Sequence, residues 1–417
     1  MKVLIVGSGG REHAICRALA TAPGIEILIA PGNPGTAQHG RNIDVPADDI
    51  GGLVEAARGV DLVIPGPEGP LVAGLADALA TAGIPSCGPT AAAARLEGSK
   101  AFTRLLTAAA GVPSPTHRIV TLPAAVDDAL RAFEAPPVIK ADGLAAGKGV
   151  FLPDTFDECA AITRDLLAGL LGPAGSTVVM EQRLGGFEAS WFHACRGTEA
   201  IALPNAMDHK RLLDGDLGPN TGGMGAVSPN PNVGQDLENA VRSDFVVPTL
   251  RSLAEGGTPF NGFLFSGLIL DGDRPYLLEY NVRLGDPEAQ AILPRLPDGV
   301  FAEVCAWVAG LRDNPPRFEF DRRDTCAVVL AAAGYPDRPR RGDPITFSPG
   351  LETADRWFIH AGTGVDDGRL LTHGGRVGAV VARGDTNVAA RDSAYDGVGH
   401  VQWEGMIHRT DIGSHDG

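Results

Sequence analysis

At 417 residues the chain is long enough for two to four domains, since a domain typically runs ~100–200 residues. Hydrophobic residues make up 44% and charged residues 21%, the balance of a globular protein, which excludes disordered, collagenous and disulfide-scaffold classes. Its 51 acidic residues against 35 basic ones leave a formal charge of −16, so no sequence-independent grip on nucleic acid or an anionic membrane is expected, and anionic small molecules need local clusters of positive charge.

The basic residues are unevenly divided. Lysine occurs at five positions only (Lys2, Lys100, Lys140, Lys148 and Lys210), against 30 arginines. The six cysteines (Cys16, Cys87, Cys159, Cys195, Cys305 and Cys326) lie far apart, with no CxxC pair and no zinc-type Cys/His spacing. Their pattern predicts a reduced, cytoplasmic setting. The N-terminal apolar stretch is too short for a signal-peptide core, and no uncharged apolar run reaches the ~18 residues of a membrane span.

From Lys2 to about Gly98, β-branched runs (KVLIV, IEILIA, DLVIP) alternate with helical patterns (REHAICRALATA, residues 49–58, LVAGLADALATAG). That rhythm predicts βαβ units around a parallel sheet. Gly- and Pro-rich loops follow the strands at Gly7–Gly10, Pro31–Gly35 and Pro65–Gly69, the carboxyl ends where open α/β sheets bind ligands. After Thr90, a predicted N-cap, comes helix, and GVPSPTH marks a boundary. A second unit follows from about His117 to Arg196: a helix near 123–133, the strand PPVIKA, the loop GLAAGKG, a helix near 155–171, then the strands STVVMEQRL and EASWFHACR. Residues 197–234 are rich in Gly, Pro, Asn and Asp and hold a long segment of little periodicity, LLDGDLGPNTGGMGAVSPNPN, which reads as a functional or a disordered loop. A helix near 235–254, the strands GFLFSGLIL and PYLLEYN, and a helix near 298–311 restore order. A connector, PPRFEFDRRD, leads to a small strand-rich C-terminal unit. The chain shows no internal repeat.

The loop Gly7-Ser8-Gly9-Gly10-Arg11-Glu12 starts like a dinucleotide fingerprint and fails at its third glycine, which would be Glu12. It offers instead backbone N–H groups at a helix start with Arg11 beside them, which suits a phosphate, or else a plain strand-to-helix turn. The loop around Gly143, Gly147 and Lys148 fails as a Walker motif at Asp142 and Gly149, yet a Gly-rich lid carrying a lysine can still cover a triphosphate. Lys140 ends an apolar strand and needs an anionic partner, because an unpaired buried ammonium is costly, unless it snorkels to solvent from the strand end. Period-two alternation puts Glu279, Asn281 and Arg283 on one strand face. A carboxylate beside an amide oxygen suits Mg²⁺ completed by substrate phosphates, and Arg283 suits a developing oxyanion or phosphoryl group. A solvated strand face is the competing reading, weakened by Asp286 and Glu288 following at the same end.

Two lysines forty residues apart, a Gly-rich lid and the Glu-x-Asn-x-Arg strand resemble the ATP-grasp fold. The segments GGREHA, PGNPGTA, GPEGPLV, GPTAAAARLEGSKAF, VIKADGLAAGKGV, DHKRLLDGDLGPNTGGMGA, EYNVRLGDPEAQ and RTDIG resemble the phosphoribosylamine–glycine ligase family over Met1 to about Gly413. The resemblance implies an α/β protein with a parallel N-terminal α/β domain over 1–99 that binds phosphoribosylamine. It further implies an ATP-grasp core over 100–315 with a mobile lid at about 117–190, and a small strand-rich C-terminal domain over 320–417. The implied reaction joins glycine to 5-phosphoribosylamine through glycyl phosphate, with ATP as co-substrate and Mg²⁺ or Mn²⁺ as cofactor.

Carried over position by position, the resemblance assigns ATP binding to Lys100, Lys140, Gly143, Gly147, Lys148, Glu181, Leu184 and Glu188, with Glu181 to Leu184 as the adenine hinge and Glu188 on the ribose. Metal binding falls to Glu279 and Asn281, and catalysis to Arg283, Lys210 and Asp208. Phosphoribosylamine is expected against Gly10, Arg11, Asn33, Gly35, Thr36 and Glu68. Thr221, Gly222, Gly223, Met224, Asp286, Pro287 and Glu288 are expected to close over glycine. The hinge departs from the family pattern at Gln182 and Arg183, and the strand GFLFSGLIL lacks a third acidic metal ligand. A monomer with small-molecule partners alone is expected. Other purine ligases of the same fold, an NAD-dependent oxidoreductase and a catalytically silent nucleotide-binding module are the competing functions.

Overall fold

A computed structural model of the chain describes residues 1–144, 149–272 and 274–414. The N-terminal sheet contains β1 (Lys2–Gly7), β2 (Glu26–Pro31), β3 (Arg41–Asn42) and β4 (Leu62–Pro65) in the order β3-β2-β1-β4. Every pairing is parallel. Val3, Leu4, Ile5 and Val6 are all 0% exposed, which explains their unbroken apolar run: a parallel sheet is covered on both faces. The three glycine loops therefore leave the same edge, as their positions after the strands predict.

The lid is a separate antiparallel sheet in the order His117–Val120, Val178–Glu181, Val138–Ala141, Val150–Phe151. Its own core includes Ile139, Leu166, Val178 and Met180. The helix predicted near 155–171 runs over Phe156–Leu167 and starts in a capping box, with Thr155 accepting from the Glu158 amide and Glu158 reaching back. The helix predicted near 123–133 shortens to a 3₁₀ turn and Val126–Leu130.

Behind the lid lies the central antiparallel sheet, Glu199–Ala202, Phe187–Gly197, Phe260–Asp271 and Arg274–Asn281. One apolar cluster runs from Ile5 and Ile15 through Phe192 and Phe263 to Trp307, so the N-terminal unit and the central sheet share a core. Burying such side chains contributes roughly 1.5–3 kcal/mol each before entropy is counted, enough to hold the two units in fixed relation.

Two expectations are corrected. Residues 197–234 are not a structureless loop: they hold Glu199–Ala202, Met207–Asp208, Arg211–Leu213, Leu217–Asn220 and Gly225–Ser228. The polar, glycine-rich composition hid these strands because they are short, and Gly225–Ser228 pairs with a strand about a hundred residues away. Met207–Asp208 and Gly225–Ser228 join the C-terminal sheet, in the order Met207–Asp208, Gly225–Ser228, Asp324–Ala331, Arg376–Gly384, Arg356–His360. Second, Arg283 is not on the strand with Glu279 and Asn281. That strand ends at Asn281 and Arg283 sits in the bend beyond it.

Candidate active site

The N-terminal loops make a tightly bonded rim. Asn33 Oδ1 accepts from the amides of Gly35 at 2.8 Å and Thr36 at 3.0 Å, and its Nδ2 donates to Ser8 O at 2.8 Å and His360 O at 3.2 Å. Thr36 Oγ1 donates to Asn33 O at 2.8 Å. Both side chains thus serve to shape the loop, leaving backbone groups to face a ligand. The start of the first helix, Gly10–Ala20, is capped by Glu12, and Arg11 donates to Glu12 Oε1 at 2.7 Å and to Leu284 O at 3.1 Å. A carboxylate therefore occupies part of the helix start that suggested a phosphate. A side chain at Gly10 would displace the Gln290 carboxamide, because a Cβ there would lie 2.5 Å from Gln290 Nε2. That contact joins the rim to the Asp286 loop, whose Oδ1 accepts from Gln290 at 2.7 Å.

Glu68 and Arg283 link the rim to the central sheet. Arg283 Nε lies 3.2 Å from Glu68 Oε2 and its Nη2 lies 2.9 Å from Glu97 Oε1. Glu97 also accepts from the Val282 amide at 2.8 Å. Burial would lower the Arg283 guanidinium, but Glu97 and Glu68 raise it above its ordinary value. Arg283 also donates to Asn281 Oδ1 at 3.3 Å, so it reaches the predicted metal ligand although it has left the strand.

Lysine charge gathers around Glu279. Burial would raise this carboxyl, but Lys210, Lys140, the hydrogen bond from Asn281, and Lys100 hold it below its ordinary value. Asn281 Nδ2 lies 3.4 Å from Glu279 Oε1. Lys100 donates to Gly143 O at 3.0 Å, where the helix start meets the lid loop. Lys140 finds the partner its sequence position demanded: Glu181 Oε2, at 2.7 Å. Arg104 takes the other oxygen at 2.6 Å. Burial would raise Glu181, yet Lys140 and Arg104 draw it down to about 2. At the expected hinge, the Gln182 amide donates to Thr116 O at 2.8 Å, and Arg183 donates to Pro153 O at 2.5 Å while Leu184 is half-buried. The expected lid residues Gly147 and Lys148 lie outside the described residues.

The donor set fits a divalent cation. A carboxylate and a carboxamide lie on one strand face amid cations that would accompany phosphates, the residue types Mg²⁺ accepts, with the amide oxygen turned to Arg283. Directly opposite Glu279 in the neighbouring strand is Gly267, so that strand supplies no third side-chain ligand there. Among the described residues, no group of three or more His, Cys, Asp or Glu has metal-holding geometry.

On the far side, Glu188 and Lys210 form an ion pair. Burial would lower Lys210, but Glu188, Glu279 and Asp208 raise it above its ordinary value. Asp208 is raised well above its own ordinary value by burial and then by Glu288, and its Oδ1 is buried without a hydrogen-bond partner. Glu288 is raised chiefly by burial. Thr221 and Gly223 bind locally, Thr221 Oγ1 donating to Lys210 O at 2.9 Å and accepting from the Gly223 amide at 3.0 Å. Gly223 has φ +110°, and a Cβ there would fall 2.4 Å from Pro287 and 2.7 Å from Asp208 Oδ1, so only glycine serves. Met224 is 0% exposed and can contribute backbone alone. Contacts thus link Glu68 to Arg283, Arg283 to Asn281 and Asn281 to Glu279, and separately Lys140 to Glu181 and Lys210 to Glu188. Sequence reasoning missed Glu97 and Arg104: Glu97 lies within the segment GPTAAAARLEGSKAF and Arg104 just beyond it, but neither stands in a chemical pattern of its own.

Family models of the phosphoribosylglycinamide synthetase N domain, ATP-grasp (A) domain and C domain match residues 1–97, 98–289 and 325–415. The chain belongs to the phosphoribosylglycinamide synthetase family. It is 44% identical to the phosphoribosylamine–glycine ligase of Rhizobium meliloti, over 99% of this chain and 98% of that protein. The corresponding ligase of Ralstonia nicotianae is also 44% identical, over 99% of each. The crystal structure of phosphoribosylamine–glycine ligase from Thermotoga maritima superposes with a TM-score of 0.89 at 35% identity, covering 99% of this chain and all of that one. A biotin carboxylase domain from Hydrogenobacter thermophilus, 15% identical, gives a TM-score of 0.75 over 98% of this chain and 91% of its own, which places phosphoribosylglycinamide synthetases and that domain in one fold.

Proposed function

We propose that this protein ligates glycine to 5-phosphoribosylamine, giving 5′-phosphoribosylglycinamide, ADP and phosphate, the second step of purine synthesis. The observation that carries the reading is the convergence of Lys100, Lys140 and Lys210 on Glu279, beside Asn281, in a chain of this family. A glycine carboxylate oxygen attacks the γ-phosphorus of ATP and ADP leaves, forming glycyl phosphate. The amine nitrogen of phosphoribosylamine then attacks the carbonyl carbon, phosphate leaves, and the nitrogen loses a proton.

Each part of the cleft has work in that sequence. Lys100 and Lys140, with the lid loop at Gly143, hold ATP phosphates, and the Glu181–Leu184 hinge and Glu188 hold its nucleoside. Glu279 and Asn281 would hold Mg²⁺ or Mn²⁺, which supplies charge neutralisation to the phosphates. Transfer of a phosphoryl group depends mainly on position and charge, consistent with a site of lysines and no activated serine or cysteine. Arg283, steadied by Glu97 and Glu68, faces the acyl phosphate. Asp208 and Glu288, whose burial strengthens them as bases, receive the amine proton, and Lys210 balances their charge. The rim at Gly10, Arg11, Asn33, Gly35, Thr36 and Glu68 takes the phosphoribosyl end, and Thr221–Met224 with Asp286, Pro287 and Glu288 enclose glycine.

The working form we expect is a monomer with small-molecule partners. Six buried, unpaired cysteines favour a reducing, cytoplasmic setting. No described helix is long and apolar enough to cross a membrane. The test is ADP release measured with phosphoribosylamine generated in situ, omitting one substrate at a time. Release that is indifferent to glycine would overturn the assignment and favour another ligase of the fold.

A further inference from the structure

The C-terminal domain reaches into the cleft through two side chains that the proposed mechanism does not use. Arg376 opens the strand Arg376–Gly384 and sends its guanidinium between the two loops expected to enclose glycine. Its Nη1 donates to Gly222 O, to Gly223 O at 3.4 Å and to Asp286 O at 2.5 Å, while Nη2 lies 3.3 Å from Asp286 Oδ2. Tyr335 completes the grip from the same domain, its hydroxyl accepting from the Gly222 amide at 3.1 Å. Both backbone groups of Gly222 are thereby held by C-terminal side chains.

The packing leaves little freedom. A Cβ on Gly222 would lie 3.1 Å from the Arg376 guanidinium carbon, and one on Gly375 would lie 2.5 Å from the Tyr335 ring. Gly223, next in the chain, presses against Pro287 and Asp208. The 221–224 loop is thus clamped between Arg376 and Tyr335 on one side and the Asp208–Pro287 pair on the other. Burial would lower Arg376, but Asp286, Tyr335, Asp208 and Glu288 raise it above its ordinary value, so it stays charged among the acids of the cleft. A planar fork can serve several carbonyls and a carboxylate at once, which an ammonium cannot.

We infer that Arg376, assisted by Tyr335, is a positioning residue through which the C-terminal domain fixes the 221–224 loop and the Asp286 loop in the form that receives glycine. The inference rests on the proposed reaction for the identity of the substrate, but the clamp itself is a statement about the loops. Small displacements of groups that orient a substrate cost up to about a hundredfold in rate. The C-terminal domain then sets the glycine side of the site while leaving the ATP side to the lid and central sheet.

The experiment compares the full-length protein with Arg376→Ala, Arg376→Lys and Tyr335→Phe, by steady-state kinetics and by hydrogen exchange of the 221–224 segment. Arg376→Ala should raise KM for glycine at least tenfold and lower kcat, with KM for ATP within twofold of the parent. Arg376→Lys should recover little of this, and Tyr335→Phe should speed exchange at Gly222 with a smaller kinetic effect. If Arg376→Ala does not fold, the other two variants carry the test. Glycine parameters within twofold of the parent in folded variants, unchanged exchange, or a KM for ATP that rises in step with that for glycine would each overturn the clamp. A parent protein without glycine-dependent ADP release would instead overturn the proposed reaction, and the exchange measurement would still decide the clamp.

Discussion

Lys140 Nζ lies 2.7 Å from Glu181 Oε2, across neighbouring strands of the lid sheet, and also donates to Leu278 O in the central sheet at 3.3 Å. Lid and core therefore meet at this pair. Arg104 shares the same carboxylate and donates to Leu277 O at 2.9 Å. With Arg104 and Glu181 each 2% exposed, removing the carboxylate leaves a buried charge without its partner, which typically costs 3–5 kcal/mol. Glu181→Ala should lower unfolding stability by about 3 kcal/mol, read from urea melts. An unchanged midpoint would show that the pair contributes nothing net.

The same carboxylate gives the protein an acid limit. Its folded value of about 2 lies below the ordinary 4.5, so its contribution is fully present above 4.5 and is lost as pH falls from there towards 2. Melting temperatures of the parent should fall over this window more steeply than those of Glu181→Gln. Parallel curves for the two proteins would remove Glu181 as the cause.

Asp208 and Glu288 have the opposite sign. Their folded values are raised, so their contribution is present below the ordinary carboxylate range and is lost as pH rises through the folded values. Asp208→Asn removes one charge of the pair. It should lower turnover at least tenfold, while its melting temperature gains on the parent as pH rises. A constant difference between pH 5 and 9 would show that neither burial nor Glu288 raises the Asp208 carboxyl.

Glu279→Gln keeps the shape but removes the carboxylate that faces three lysines. We expect ADP release to fall at least a hundredfold and the Mg²⁺ concentration for half-maximal rate to rise. Near-parent turnover at ordinary Mg²⁺ would exclude Glu279 as a ligand.

Lys100→Arg and Lys140→Arg test why these positions remain lysine in an arginine-rich chain. The broader guanidinium does not fit where Lys140 touches both Glu181 and Leu278, and a loss of at least tenfold in turnover is expected for each. Full rates in both would reduce the scarcity of lysine to composition.

The sequence was most legible where local chemistry and geometry coincide. The alternation of β-branched runs with helical patterns announced a parallel sheet, and Lys140 at the end of an apolar strand announced an anionic partner, which Glu181 supplies. It was least legible where partners are remote in the chain. Nothing near Gly225–Ser228 signals pairing with Asp324–Ala331, and nothing around Arg376 signals its bonds to Gly222 and Asp286, because single side chains at long separation leave no period or spacing. The alternation rule also overran at Arg283: its side chain returns to Asn281, but from a bend.

The pairing of Gly225–Ser228 with Asp324–Ala331 makes the C-terminal segment hard to detach. A chain cut near residue 320 would leave 225–228 as a bare strand edge, its amides and carbonyls open to any passing strand. The three family segments thus work as sequence units but not as interchangeable parts: transplanting the C-terminal segment between relatives would require the donor to match a strand lying about a hundred residues upstream.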